Sequence, residues 1–308
     1  MRRLFLWLTW ICCAGGTVHA TTVPLPGVNL GATSFEDGGG GVGSMMQWSA
    51  SRFHATRNYD ADGQRLSTPY DKTLWVHRLH YAYTTPHVWL GGNVGVEAVV
   101  PLVDLDLRIG ATHGQARGVG NPSVGAYLQW RDRELFGWPF SSRLSLPVVL
   151  PLGRYRADAR LNTGSDYFSF SPYYAWTLRP SRRWEVSGRF MYLWNGISHD
   201  PEARYAAMAG EPVNSVQAGQ AAHYNLSASY AVTPEWRVGA GVYQFWQIGA
   251  DRINGRSQPH SEERVYGAGP GVQWRRKQHR FVGNIYAEGW ARNHSAGNHL
   301  VLRYLFVY

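Results

Sequence analysis

Cysteine is almost absent. Cys12 and Cys13 are the only two in 308 residues, and both lie within the first twenty. The chain beyond them has no disulfide framework and no thiol chemistry. Long apolar runs are missing as well: past residue 20 nothing approaches the roughly 18 to 20 consecutive apolar residues that a membrane helix needs. Mean hydropathy alone, at −0.32, would describe a soluble protein. Charge is thin, at 17% of residues, while aromatics are plentiful, with 14 Trp, 18 Tyr and 11 Phe. A membrane β-barrel keeps its apolar surface in alternate residues, so average hydropathy stays low while aromatic side chains collect at the two interfaces. Together with 35 glycines, this composition favours such a barrel over a secreted globular enzyme.

The first twenty residues have the form of an export signal. Arg2 and Arg3 supply a charged start, Leu4 to Ala14 a mostly apolar run too short to span a bilayer, and Val18-His19-Ala20 a place for cleavage. The polar residues of a twin-arginine signal are missing around the arginine pair, and no small residue precedes Cys12 or Cys13 as lipoprotein processing requires. Removing the first twenty of 308 residues leaves 288, and losing Arg2 and Arg3 takes the formal charge from +9 to +7. A basic balance first suggests nucleic acid, but export argues against it and no nucleic-acid motif is present. The expected partners are outer-membrane lipid, lipopolysaccharide and anionic solutes.

Residues 21–45 are rich in proline and glycine: Pro24, Pro26 and the run Gly38-Gly39-Gly40-Gly41-Val42-Gly43. A phosphate cradle would need a strand before the glycines and a helix after, and neither pattern is there. An irregular N-terminal segment is expected, either a periplasmic tail or a plug folded into a barrel mouth.

From Met46 to Tyr308 the chain reads as strands with one apolar parity. Twelve runs are expected: Met46–Arg57, Thr73–Thr84, Val88–Val100, Pro122–Arg131, Phe140–Leu152, Asp166–Leu178, Trp184–Asn195, Ala222–Val232, Trp236–Gly249, Arg264–Arg275, Arg280–Arg292 and Leu300–Tyr308. Short turns near residues 86, 135, 180, 234 and 278 alternate with longer polar connections near 65, 110, 160, 207, 257 and 295. An all-β, transmembrane, antiparallel up-and-down barrel with both ends on the periplasmic side requires an even strand number and this alternation. Runs of about 10 to 13 residues also suit tilted strands crossing a hydrocarbon layer. Two prolines, Pro172 and Pro270, fall inside strands, where the missing N–H marks a fault or a bulge. The last strand carries Leu300, Leu302, Tyr304, Phe306 and Tyr308 on one face. It resembles the terminal signal read by the barrel-assembly machinery, and must pair with Met46–Arg57, the least regular run.

The segments Gly118-Val119-Gly120-Asn121-Pro122 and Gly267-Ala268-Gly269-Pro270-Gly271-Val272-Gln273 resemble the outer-membrane family named for the meta pathway of phenol degradation. Ser171-Pro172-Tyr173 through Trp194-Asn195, and the ending Gly297-Asn298 to Tyr308, are similar to it too. The resemblance implies a barrel in the bacterial outer membrane that admits small hydrophobic or aromatic compounds, and it explains Pro122 and Pro270 as bulges.

With the apolar parity facing lipid, the other parity lines the lumen. This places Arg78, His80 and Glu97 there from the second and third strands, and Tyr127, Gln129, Arg131 and Arg143 from the fourth and fifth. Glu185, Arg189, Asn225, Arg237 and Tyr243 follow, then Gln273, Asn284, Glu288, Arg292 and Arg303. Arginines outnumber carboxylates, so an open lumen would favour anions. The alternative is a narrow barrel filled by its own polar side chains, structural or sensory rather than conducting. No cofactor, metal or catalytic residue is assigned. His77 and His80 are three apart and so face opposite ways on a strand. Asn293-His294-Ser295 has the residue types of an outer-membrane lipolytic enzyme, but adjacent residues alternate sides.

Overall fold

The structure is a computed structural model and describes residues 23–308, so the expected export signal lies outside the described residues. Twelve strands form one closed wall. They are β1 (Gly43–Asn58), β2 (Tyr70–Trp89), β3 (Gly92–Ile109), β4 (Thr112–Val119 continued by Ser123–Leu135), β5 (Trp138–Val149) and β6 (Ser169–Phe170 continued by Tyr173–Leu178). β7 (Trp184–Asn195), β8 (Ala221–Ala231), β9 (Trp236–Gln247), β10 (Arg264–Arg276), β11 (His279–Arg292) and β12 (Ser295–Val307) complete it. Each pairs antiparallel with the next, and β12 pairs with β1 from Met45↔Val307 to Asn58↔Ser295. Closure leaves no sheet edge, which is what a strand structure in lipid demands.

Strand parity divides the wall as the sequence pattern requires. Val96, Val124, Leu146, Val272, Phe281, Ile285 and Leu302 are exposed on the outside, whereas Ser145, Ser229, Gln129, Gln273 and Asn284 are buried inward. Two inward tyrosines depend on glycine in the neighbouring strand. Tyr127 lies over Gly95 and Tyr243 over Gly267, and a Cβ at either glycine would collide with the ring.

Several boundaries differ from expectation. The first inner turn is Leu90-Gly91, both with positive φ, rather than residues 85–87, because Pro86 is absorbed by a register shift between Thr84 and Val88. Residues 101–121 are no loop. β3 continues through them and turns at Gly110-Ala111, and Thr112–Val119 pairs back along it as a hairpin extending β3 and β4. The outer connection after β11 is only Asn293-His294. Pro172 breaks β6 into two pieces, whereas Pro270 causes no bulge. β10 keeps constant register with β11 from Tyr266 to Arg276, across Pro270, with ladder pairs missing there at Gly269 and Pro270.

The remaining outer connections cap the barrel. Residues 196–220 carry a short helix, α1 (Arg204–Ala209), and Val216–Gln217 pairs with Arg252–Ile253, which pairs with Arg256–Ser257. Tyr205, Val216, Ala218 and Ile253 form an apolar cluster beneath this small sheet.

Candidate functional site: the lumen and its N-terminal segment

Residues 23–42 run through the lumen from the outer cap to the start of β1. Among the described residues they make no backbone–backbone hydrogen bond to the wall; side chains hold them instead. At the outer end Val23 joins the cap cluster, its N–H donates to Asp251 Oδ2 at 2.6 Å, and Tyr167 Oη donates to the Pro24 carbonyl at 2.7 Å. Leu25, Val28 and Leu30 pack against Leu193, Phe245 and Ala291. Halfway down, Gly31 N–H donates to Asn225 Oδ1, and Asn225 Nδ2 donates to the Asn29 carbonyl and Thr33 Oγ1. Gly31 has φ of 62°, and a Cβ there would stand 2.7 Å from the Tyr286 ring and 2.8 Å from that of Tyr243. Only glycine suits it.

Toward the end of the barrel that carries the short turns the contacts become ionic. Phe35 is buried against Val282 and Leu305. The Glu36 carboxylate receives Gln273 Nε2 at 2.8 Å and stands 3.3, 3.3 and 3.7 Å from guanidinium nitrogens of Arg179, Arg275 and Arg280. Asp37 takes a two-pronged bond from Arg189, at 2.7 and 2.9 Å. Gly38 then lies flat on the β6 backbone at Trp176 and Thr177, where any Cβ would clash, and Gln129 Nε2 donates to its carbonyl. The glycine run serves close approach, not phosphate binding.

Charge in this segment is set by its surroundings. Burial would raise the Glu36 carboxyl, but Arg280, Arg275 and Arg179, with the Gln273 amide, hold it down at about 2. At the opposite end burial pushes the Asp251 carboxyl up to about 6, despite the bonds it accepts from Gly219, Val23 and Gln247.

Most of the inward residues expected from parity meet here. Glu97 accepts Tyr173 Oη at 2.9 and 3.0 Å, lies 3.0 Å from His80 Nε2 and is bonded by Ser145 Oγ. Tyr127 Oη bonds Thr84 Oγ1, and Arg143 stacks over the Tyr127 ring while donating to Gln129 Oε1. Arg237 donates to Ser229, whose hydroxyl donates in turn to Glu185. Tyr243 Oη donates to Glu288 at 2.6 Å. Arg303 Nη2 donates to Ser34 Oγ, and Arg78 Nη1 to Ser51 Oγ at 3.3 Å. Arg131 is half-buried near Gly41. Arg292 is a correction: Trp290 has φ of 49° and a register shift interrupts β10–β11 there, so parity inverts, Ala291 turns inward and Arg292 stands exposed on the outer rim beside Gly63.

Glu36 and Asp37 were not anticipated as site residues, although an acidic pair in a glycine run facing a surplus of arginine was a readable signal. His77 stacks between Trp48 and Trp75 outside the wall, while His80 faces inward. His294 Nδ1 contacts the Ser295 carbonyl, not its hydroxyl. Among the described residues no three His, Asp, Glu or Cys side chains gather as a metal site.

Residues 55–304 match the family described as "Putative MetA-pathway of phenol degradation". No functionally curated protein matches the chain. Among solved structures, the fold is similar to the COG4313 outer membrane channel from Pseudomonas putida F1. The TM-score is 0.76 at 16% identity, over 89% of this chain and 98% of that one. The transport unit of the autotransporter AIDA-I from Escherichia coli gives a TM-score of 0.49 at 13% identity, over 86% of this chain and 90% of that one.

Proposed function

The chain belongs to that phenol-degradation family, and from this premise we propose that it is a passive outer-membrane channel for small hydrophobic or aromatic compounds, its path set by residues 23–42. The observation that carries the reading is the way the lumen is filled. The wall is closed by backbone pairing all round, but the segment inside is held by side-chain contacts alone, so it can move without breaking the barrel. A polar, arginine-rich interior beside it gives anions a favourable potential. Leu300 to Tyr308 presents the aromatic ending that suits recognition by the barrel-assembly machinery, and the apolar outer wall suits lipid and lipopolysaccharide.

Refolded protein in planar bilayers tests this. The expected result is small, anion-preferring currents, together with slower growth of a deletion strain on aromatic substrates. Absence of both would leave a structural or sensory barrel. Labelling by a serine-directed reagent with lipid hydrolysis in mixed micelles would instead support the lipolytic alternative.

A further inference from the structure

A cavity of ≈ 210 Å³ remains in the lumen between the N-terminal segment and the wall. Its lining carries five arginines, Arg78, Arg143, Arg189, Arg280 and Arg303, against three carboxylates, Glu36, Asp37 and Glu97. The carboxylates are committed: Asp37 to Arg189, Glu36 to Arg280 and its neighbours, Glu97 to His80, Tyr173 and Ser145. Arg143 has no ion-pair partner, but it donates to Gln129 Oε1 and lies over the Tyr127 ring, which leaves Arg78 and Arg303. Among the described residues neither has an ion-pair partner; Arg78 donates only to Ser51 Oγ, and Nε of the buried Arg303 has no hydrogen-bond partner.

These two arginines belong to one place. Ser49 on β1 is directly opposite Arg78 on β2 and directly opposite Arg303 on β12, so the two residues leave the wall at one level, from which Arg78 reaches Ser51 Oγ and Arg303 reaches Ser34 Oγ. His223, which also lines the cavity, is 1% exposed and neither of its ring nitrogens has a partner. The lining also offers apolar side chains, Val99, Val149, Met191 and Leu305, among further polar ones such as Asn29 and Gln47. A buried cation without a counter-charge is costly, and a bound anion offsets that cost. A cavity of about 150 Å³ already accepts benzene, so this one has room for one ring and a carboxylate.

The geometry points to a binding site for a single-ring aromatic carboxylate, with the carboxylate between Arg78 and Arg303 and the ring against the apolar lining. The inference rests on the channel reading for its biological sense and names the substrate class, but binding is measured apart from conduction. The full chain, refolded in detergent and shown to be folded by its heat-modifiable gel mobility, is titrated calorimetrically with benzoate, benzyl alcohol, acetate and inorganic phosphate. Benzoate is expected to bind at least tenfold tighter than each of the other three. Arg78→Met should weaken benzoate at least tenfold without changing benzyl alcohol, and Arg78→Lys should restore part of the loss. Arg303→Met and the cavity-filling Val99→Phe supply the same reading if Arg78→Met does not fold. Benzoate no tighter than benzyl alcohol, phosphate or acetate as tight as benzoate, or unchanged affinity in the arginine variants overturns the site. Protein that conducts without binding benzoate removes this inference and leaves the channel. Protein that binds benzoate without conducting removes the channel and leaves the site.

Discussion

Glu36 is the residue on which the position of the N-terminal segment turns, because it is buried among three guanidinium groups contributed by the wall and its inner turns. Glu36→Gln would leave those groups repelling one another around a neutral amide. Breaking a buried ionic cluster costs about 3 kcal/mol here, the low end of the usual range, because Arg179 and Arg275 keep contact with water. The segment should then undock more often, read as larger and noisier single-channel current and as faster protease cleavage within residues 23–42. The pH dependence has a definite sign. Glu36 titrates at about 2 when docked against 4.5 when free, so its contribution is fully present above pH 4.5 and lost as pH falls toward 2. Asp251 works the other way. Burial holds it at about 6 in the folded cap against 3.8 when free, so its contribution to the stability of that cap is complete below pH 3.8 and lost as pH rises through 6, whereas the bond it accepts from the Val23 N–H favours the ionised form. Protection factors of the outer-cap amides, corrected for the intrinsic pH dependence of hydrogen exchange, should therefore fall between pH 4 and 6.5, and Asp251→Asn should flatten that fall. An unchanged profile in the variant would remove Asp251 as the titrating group of the cap.

At the scale of elements, the strands declared themselves by parity, since a wall with lipid outside and polar groups inside writes a period of two into the chain. Trp184–Asn195 is found with the bounds its pattern predicts. The failures have local causes. Parity cannot see a bulge, which is how Arg292 came to be assigned inward, and charged residues such as Asp104, Asp106 and Arg117 disguised the β3–β4 hairpin as a loop. The path of residues 23–42 was illegible for a different reason. That segment has no period, and its partners lie about 90 to 270 residues away in sequence, as with Gln129 to Gly38 and Arg303 to Ser34. Two substitutions separate these regimes. Val96→Arg, outward on β3 near mid-membrane, should cost roughly 2 to 4 kcal/mol in refolding into lipid, while Ala111→Arg at the hairpin tip should change stability by less than about 0.5 kcal/mol. Equal costs would mean the hairpin lies in the bilayer rather than beyond it. Gly31→Ala should leave the wall intact yet displace the segment, seen as raised conductance with unchanged thermal unfolding of the barrel.

For the molecule as a whole, wall and contents answer to different physics, and the seam between β1 and β12 is where they meet. Backbone pairing closes the seam along its length, and its last bonds are reciprocal: Ser44 N–H donates to the Tyr308 carbonyl, and Tyr308 N–H to that of Ser44. Ser44 follows Gly43, the residue at which the chain, having descended the lumen, enters the wall. Removing Tyr308 deletes both bonds and the ring that lies tilted against Phe306, but touches no residue of the cavity. The loss falls on closure and assembly, so the amount of heat-modifiable barrel in membranes should drop while the ion preference of the channels that do assemble stays as in the parent. Removing residues 23–40 has the opposite signature. The seam keeps its pairing from Met45↔Val307 onward, so assembly should survive, whereas the inward arginines lose Glu36 and Asp37 and the lumen gains net positive charge. Conductance should rise and preference for anions should sharpen, measured as a reversal-potential shift in a salt gradient. A shift toward cations would mean that the wall's own carboxylates, Glu97, Glu185 and Glu288, dominate the path.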